Sequence, residues 1–142
     1  MAYPQNIKVT VDAVVFGYQR EDLQVLLIQR KNDPFQGKWA LPGGFVEDDE
    51  ALDTAAAREL EEETGVHTSN LTQLYTFGKP ERDPRARAIS VAYYTEVDQS
   101  EINPQAATDA AETRWFSTRK LPELAFDHAE ILAKAKEAFL NR

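Results

Sequence analysis

Nothing constrains the fold of this chain more than the stretch from Pro42 to Gly65, where a helix crowded with carboxylates follows a Pro-Gly-Gly breaker. Asp48 or Asp49 is placed to cap the start of that helix, and Ala55-Ala56-Ala57 supplies helix propensity. Gly65 is placed to end it in a left-handed conformation. Between Glu47 and Glu63 stand nine acidic residues and one basic one, Arg58, a local balance of -8. The whole 142-residue chain, with 16 Lys+Arg and 24 Asp+Glu, also carries -8. The remainder is therefore neutral, and the acidity belongs to one segment rather than to the surface at large.

At about 100° of turn per residue, Glu59, Glu62 and Glu63 fall within an arc of roughly 100°. Leu52 and Ala55 share the arc and Ala56 borders it, whereas Ala57 and Glu61 point the opposite way. The small apolar residues mark the arc as inward, and partly buried like charges are costly unless compensated. Their position near a helix C-terminus opposes the macrodipole as well. Arg58 can offset one of the three. The natural compensation for the rest is a hard divalent cation with oxygen ligands, Mg²⁺ foremost and Mn²⁺ as the alternative. Glu61 reads as solvated surface.

The chain has the length of one domain, residues 1–142, with room for a hydrophobic core. It has no cysteine, which excludes disulfides, thiolate metal sites and a Cys nucleophile and fits a reducing, cytoplasmic setting. The N-terminus lacks a basic region followed by an apolar one, so no signal peptide is expected. No apolar run approaches a membrane span. A chain this acidic is a poor non-specific binder of nucleic acid.

Val9 to Tyr18 and Leu23 to Gln29 read as two strands joined by a polar turn, Gln19-Arg20-Glu21-Asp22. Trp39-Ala40-Leu41 is a short apolar piece before the breaker. Leu71 to Phe77 and Ala88 to Val97 read as strands around a Pro- and charge-rich loop, Gly78 to Arg87, and Arg114-Trp115-Phe116 as a last short strand. Asp127 to Leu140 has helical spacing, with Ile131, Leu132, Ala135 and Phe139 forming an apolar stripe. Trp39, Tyr93 and Phe116 are assigned to the core. Strands mixed with two helices in this order point to a sheet between helices.

Gly44, five residues, Glu50, seven residues, Arg58-Glu59-Leu60, one residue, Glu62-Glu63, one residue and Gly65-Val66 resemble the signature of the Nudix hydrolases with its spacing intact. Nine fixed or class-restricted positions over 23 residues make this a specific match, and the Leu41-Pro42-Gly43-Gly44 lead-in and strand order extend it. The resemblance implies an α+β fold, an α/β/α sandwich with a mixed sheet between helices. It implies Mg²⁺-dependent hydrolysis of a nucleoside diphosphate linked to another group, with water attacking one phosphorus in line. Glu59, Glu62 and Glu63 would hold the metal, joined by the carbonyl of Gly43. Arg58 would orient a catalytic carboxylate, and Glu50 would brace the loop against the helix or stabilise the helix start through its dipole. The general base is left open among Glu63, Asp109 and Glu112. The family also suggests a homodimer.

A polyanionic substrate needs local positive groups. Arg30, at a strand end, is placed like the family's phosphate-contacting arginine. The loop around Pro80 and Pro84 offers Arg82, Arg85 and Arg87, whose guanidinium forks suit phosphate. Phe77-Gly78, Arg82-Asp83-Pro84-Arg85, Ile89 to Tyr94 and Ala125-Phe126-Asp127-His128 resemble the branch containing ADP-ribose pyrophosphatases, although Ala86 stands where glycine is expected. Asp127 reads first as a helix cap and His128 as a surface residue of the first turn. Phe45, Phe35 and Tyr18 are candidate platforms for a base.

Two other readings compete. One is a sensor that keeps the fold without the chemistry; such relatives carry an added winged-helix domain, for which no room is expected after Arg142. The other is a nucleoside triphosphate pyrophosphatase, because the box reports diphosphate chemistry and not the base.

Overall fold

The central run Val11 to Phe16 is continuously apolar apart from Asp12, as befits a strand covered on both faces, and it forms the middle of β1 (Ile7–Gln19). In this computed structural model, residues 4–104 and 110–142 are described. β1 turns through Arg20 and Glu21 into β2 (Asp22–Arg30), with Arg20 in the left-handed region at φ 58°. The two strands pair antiparallel from Gln19↔Asp22 to Phe16↔Val25 and then part. Into the fork between them run two short strands. β3 (Trp39–Ala40) pairs with β2 at Ile28 and Gln29, and β4 (Gly43–Phe45) pairs with β1 from Thr10 to Asp12.

Helix α1 (Leu52–Thr64) follows β4, and then come β5 (Thr72–Phe77), β6 (Arg87–Glu96), β7 (Ala110–Ser117) and α2 (His128–Leu140). β6 lies parallel to β1 along its length, β5 antiparallel outside β6, and β7 antiparallel on the other edge of β2. The mixed sheet is thus β3-β2-β1-β6-β5, with β4 and β7 attached to β1 and β2.

Strand alternation sends successive residues to opposite faces. Val11, Val91 and Tyr93 pack under Ala55 and Ala56 of α1, and Val15 and Leu26 pack with Leu60. Val14, Phe16, Leu27 and Ala92 pack with Ile131, Leu132, Ala135 and Phe139 of α2, the stripe that the sequence marked. Helices on both faces make this the α+β sandwich expected from the sequence.

Three local expectations change. The Pro-Gly-Gly stretch is not only a breaker: Gly43–Phe45 forms a ladder with β1, so close at Gly43 that a Cβ there would collide with the Val11 carbonyl and stand 2.5 Å from Asp12 Oδ1. Asp48 and Asp49 do not cap α1; they sit in a turn, and Ala51 occupies the cap position without a side-chain bond. At the other end Gly65 does take the left-handed conformation, φ 76°, and its N–H reaches Glu61 O at 2.8 Å. The last strand is longer than Arg114 to Phe116. Among the described residues no helix is long and apolar enough to cross a membrane.

Candidate active site

Where β1 and β2 part, the fork opens into a cleft of about 530 Å³. One wall comes from β4 and the inner face of α1, with Gly43, Gly44, Glu59 and Glu63. Another part of the lining comes from the end of β2 and the β5–β6 loop, with Arg30, Arg82 and Arg85. Phe45 and Phe126 stand at its rim, and Asp12 and His128 at its buried floor.

Arg58 ties the acidic wall together. Its Nε and Nη2 donate to the two oxygens of Glu50 at 2.5 and 2.9 Å, and its Nη1 donates to Glu59 Oε1 at 2.9 Å and Glu62 Oε2 at 3.1 Å. Nη2 also reaches the Phe45 carbonyl at 3.3 Å. Glu50 Oε1 in turn accepts the N–H of Glu47, 3.1 Å away. One guanidinium thereby connects the loop, β4 and three carboxylates. It holds Glu50 well below the usual carboxylate range, at about 2, and the carboxylates push Arg58 itself further up.

Glu63 is buried and accepts the Gly43 N–H at 2.7 Å, so it fixes β4 from behind. Gly44 touches the neighbouring acid: a Cβ there would lie 2.6 Å from Glu59 Oε2. Glu62 is different. Its side chain is 55% exposed and lies outside the cleft wall, drawn to Arg58. The helix face explains this. Leu60 and Thr64 are buried alongside Ala55, Ala56 and Glu63, so the inward face is rotated past the acidic arc and leaves Glu62 at its edge. Among the described residues no three acidic or histidine side chains already stand as a metal cage. Glu61 is exposed and pairs with His67 at 2.7 Å.

On the basic wall, Arg85 is held by Asp83 through Nε and Nη2, 3.1 and 2.9 Å away. Its guanidinium lies 5.0 Å from the Phe45 ring centre and 5.2 Å from that of Phe126. Arg30 donates to the Pro34 carbonyl at 2.7 Å and sits 5.0 Å from the Phe126 ring centre; burial and the nearby Arg85 lower its pKa. Arg82 is buried and makes a two-pronged pair with Asp127, 2.8 and 2.7 Å. Burial works against its charge, but Asp127 outweighs this and raises its pKa.

Arg87 is not brought to the cleft; it donates to the Gly78 carbonyl at 2.6 Å. Tyr18 lies elsewhere too, 6.4 Å from the ring of Phe139 in α2. Phe35 packs edge-on against Phe126 at 4.8 Å, behind the rim. Glu112 pairs with Arg114 at 2.8 Å away from the cleft, and Asp109 lies outside the described residues.

Two readings of the sequence are overturned near α2. Asp127 holds the cap position but its side chain caps nothing, because both oxygens are engaged by Arg82. His128 is not a surface residue: it is 5% exposed, its Nδ1 accepts the Leu41 N–H at 3.0 Å, and its Nε2 stands 3.4 Å from Asp12 Oδ1. Asp12 and its partner Ser90, whose Oγ donates at 2.5 Å, were missed by the sequence reading. A lone carboxylate inside the apolar run Val11 to Phe16 was the available signal.

The profile of the NUDIX domain matches residues 7–135, nearly the whole chain. This chain belongs to the Nudix family. By family and by its intact box it is a Nudix hydrolase, and hydrolases of this kind generally use divalent metal ions. It is 42% identical over 124 residues to an ADP-ribose pyrophosphatase of Methanocaldococcus jannaschii, covering 87% of this chain and 70% of that one. It is 36% identical to the ADPR-responsive transcriptional repressor NtrR of Acinetobacter baylyi, across 99% of this chain and 57% of the repressor. The NUDIX domain of Shewanella oneidensis NrtR, solved with ADP-ribose, superposes with a TM-score of 0.88 at 35% identity, covering 95% and 90% of the two chains.

Proposed function

We propose that this chain hydrolyses the diphosphate bond of ADP-ribose, giving AMP and ribose 5-phosphate, with Mg²⁺ as its ion. The observation that carries the reading is the cleft itself: carboxylates of α1 and arginines of β2 and the β5–β6 loop line one space of about 530 Å³. A diphosphate needs both, cations on its oxygens and an acidic side where a metal can enter. The pyrophosphatase of M. jannaschii and the ADP-ribose-bound domain of S. oneidensis support the choice of substrate.

The donor chemistry fits a hard ion. Glu59 and Glu63 supply carboxylates on the cleft wall, Glu62 a third from one turn along α1, and Gly43 a main-chain carbonyl. Bound there, a divalent ion would neutralise diphosphate charge and lower the pKa of water. The rest falls to the chain. Arg85 and Arg30 bind the diphosphate oxygens, and the Phe45 and Phe126 rings offer apolar faces for the base or sugar. Arg58 holds Glu50 and Glu59 in register with β4. Glu63 accepts the proton as the attacking water forms its bond to phosphorus and the bridging P–O bond breaks, the pair of electrons leaving with the departing phosphate. Phosphate-bearing products then separate toward the open rim.

Incubation with ADP-ribose and Mg²⁺ should release AMP and ribose 5-phosphate in equal amounts, and Glu59→Gln should abolish this. No turnover of any nucleoside diphosphate derivative would refute the reading. A second reading, an ADP-ribose sensor, is favoured by the A. baylyi repressor; tight ADP-ribose binding without cleavage would select it. We further propose a cytoplasmic homodimer acting on small nucleotides alone, to be checked by light scattering.

A further inference from the structure

The two walls of the cleft are pinned to adjacent residues at the start of α2. Asp127 takes both prongs of Arg82, whose loop also carries Arg85. His128 takes the N–H of Leu41, which lies two residues before Gly43. Within the segment from Leu41 to Gly43, the Pro42 carbonyl accepts the Ala13 N–H at 2.8 Å, the Gly43 N–H reaches Glu63, and Gly43 pairs with Asp12 in the β4–β1 ladder. Just upstream, Ala125 N–H donates to the Trp39 carbonyl at 2.8 Å, so the entry to α2 runs alongside β3 and into the lead-in.

The ring of His128 is oriented from both sides. Nδ1 must be unprotonated to accept from Leu41, so Nε2 carries the hydrogen and presents it toward Asp12 Oδ1. Asp12 is fixed in turn by Ser90 on β6. Asp12 and His128 are both buried. Such a buried polar chain is costly to maintain unless each member is satisfied.

We propose that Asp127 and His128 are positioning residues for the hydrolysis proposed above, with separate duties. Asp127 holds the phosphate-binding arginine loop. His128, with its tautomer set by Asp12, holds the Leu41–Gly43 segment and so the main-chain oxygen and β4 strand on the acidic wall. The inference rests on the hydrolase reading, and the division of labour is its new content.

The test compares Asp127→Asn, His128→Gln and His128→Asn in ADP-ribose kinetics, with wild-type turnover as the separate check on the hydrolase reading. Asn places its amide oxygen where Nδ1 stood, whereas Gln places its amide near Nε2. Asp127→Asn should raise KM about tenfold with little change in kcat, as loss of a buried charged partner disorders the loop. His128→Gln should lower kcat about tenfold with little change in KM, and His128→Asn should restore most of the loss. Amide hydrogen exchange at Leu41, read by NMR without substrate or metal, should accelerate in His128→Gln and stay slow in His128→Asn. If His128→Gln fails to fold, the folded Asn variant carries the test: retained kcat and a slow Leu41 amide support the proposal. Loss of kcat in His128→Asn, unchanged kcat in His128→Gln, or the same parameter moving in both arms would overturn it.

Discussion

Gly44 has no side chain where the Glu59 carboxylate lies: a Cβ at that position would stand 2.6 Å from Oε2 and 2.7 Å from Oε1. The contact is with the far end of a flexible side chain, so the fold can absorb a methyl group by moving that carboxylate. The site cannot absorb it so easily, because Glu59 also answers to Arg58. Gly44→Ala should therefore leave the melting temperature nearly unchanged while lowering kcat about 100-fold, the usual consequence of displacing a positioned group by about 1 Å. Calorimetry and initial rates on the same preparation check this.

Arg58 meets Glu50 with two nitrogens and shares a third with Glu59 and Glu62. Lysine keeps the charge but not the planar fork. Arg58→Lys should lower kcat by about 10- to 100-fold and raise the Mn²⁺ concentration for half-saturation, since residues behind metal ligands tune affinity. Electron paramagnetic resonance of free Mn²⁺ measures the second effect without turnover.

Arg85 and Arg87 stand two residues apart but differ in place, one in the cleft and one bonded to Gly78 outside it. Arg85→Ala should raise KM for ADP-ribose about tenfold through loss of a charge-assisted phosphate contact. Arg87→Ala should change KM by less than about twofold, as expected for a group whose bond is made near solvent. Equal effects from both would show that the cleft extends further along the loop than the lining residues indicate.

Burial holds the His128 pKa below its ordinary 6.5, against the pull of Asp12 and Asp127. In the unfolded chain the ring protonates as pH falls through 6.5, whereas the folded protein keeps it neutral to lower pH. The unfolded state then binds the extra proton, so the stability is fully present above 6.5 and is lost as pH falls from there toward the lowered folded value. Urea unfolding at about pH 7.5 and about pH 5.5 should show a larger loss for wild type than for His128→Asn, which has no ring to protonate.

The sequence made the acidic helix, its left-handed end at Gly65 and the apolar stripe of α2 legible, because each depends on local spacing and conformational preference. It also indicated which segments are strands, since burial on both faces leaves a continuous apolar run in β1. What it could not show was long-range pairing. That Asp127 spends its oxygens on Arg82 rather than on its own helix, and that His128 turns inward to Leu41, depends on segments more than forty residues apart meeting at the fork. Helical periodicity also misjudged Glu62, because Leu60 and Thr64 rotate the buried face of α1 away from it.

The most direct measurement is an anomalous-scattering map from crystals grown with Mn²⁺ and a non-hydrolysable ADP-ribose analogue. A peak between α1 and β4, in contact with Glu59 and Glu63 and facing the diphosphate across from Arg85, is the predicted result. Crystals of a protein active on ADP-ribose that show the ion bound elsewhere, or no ion beside those glutamates, would contradict the account.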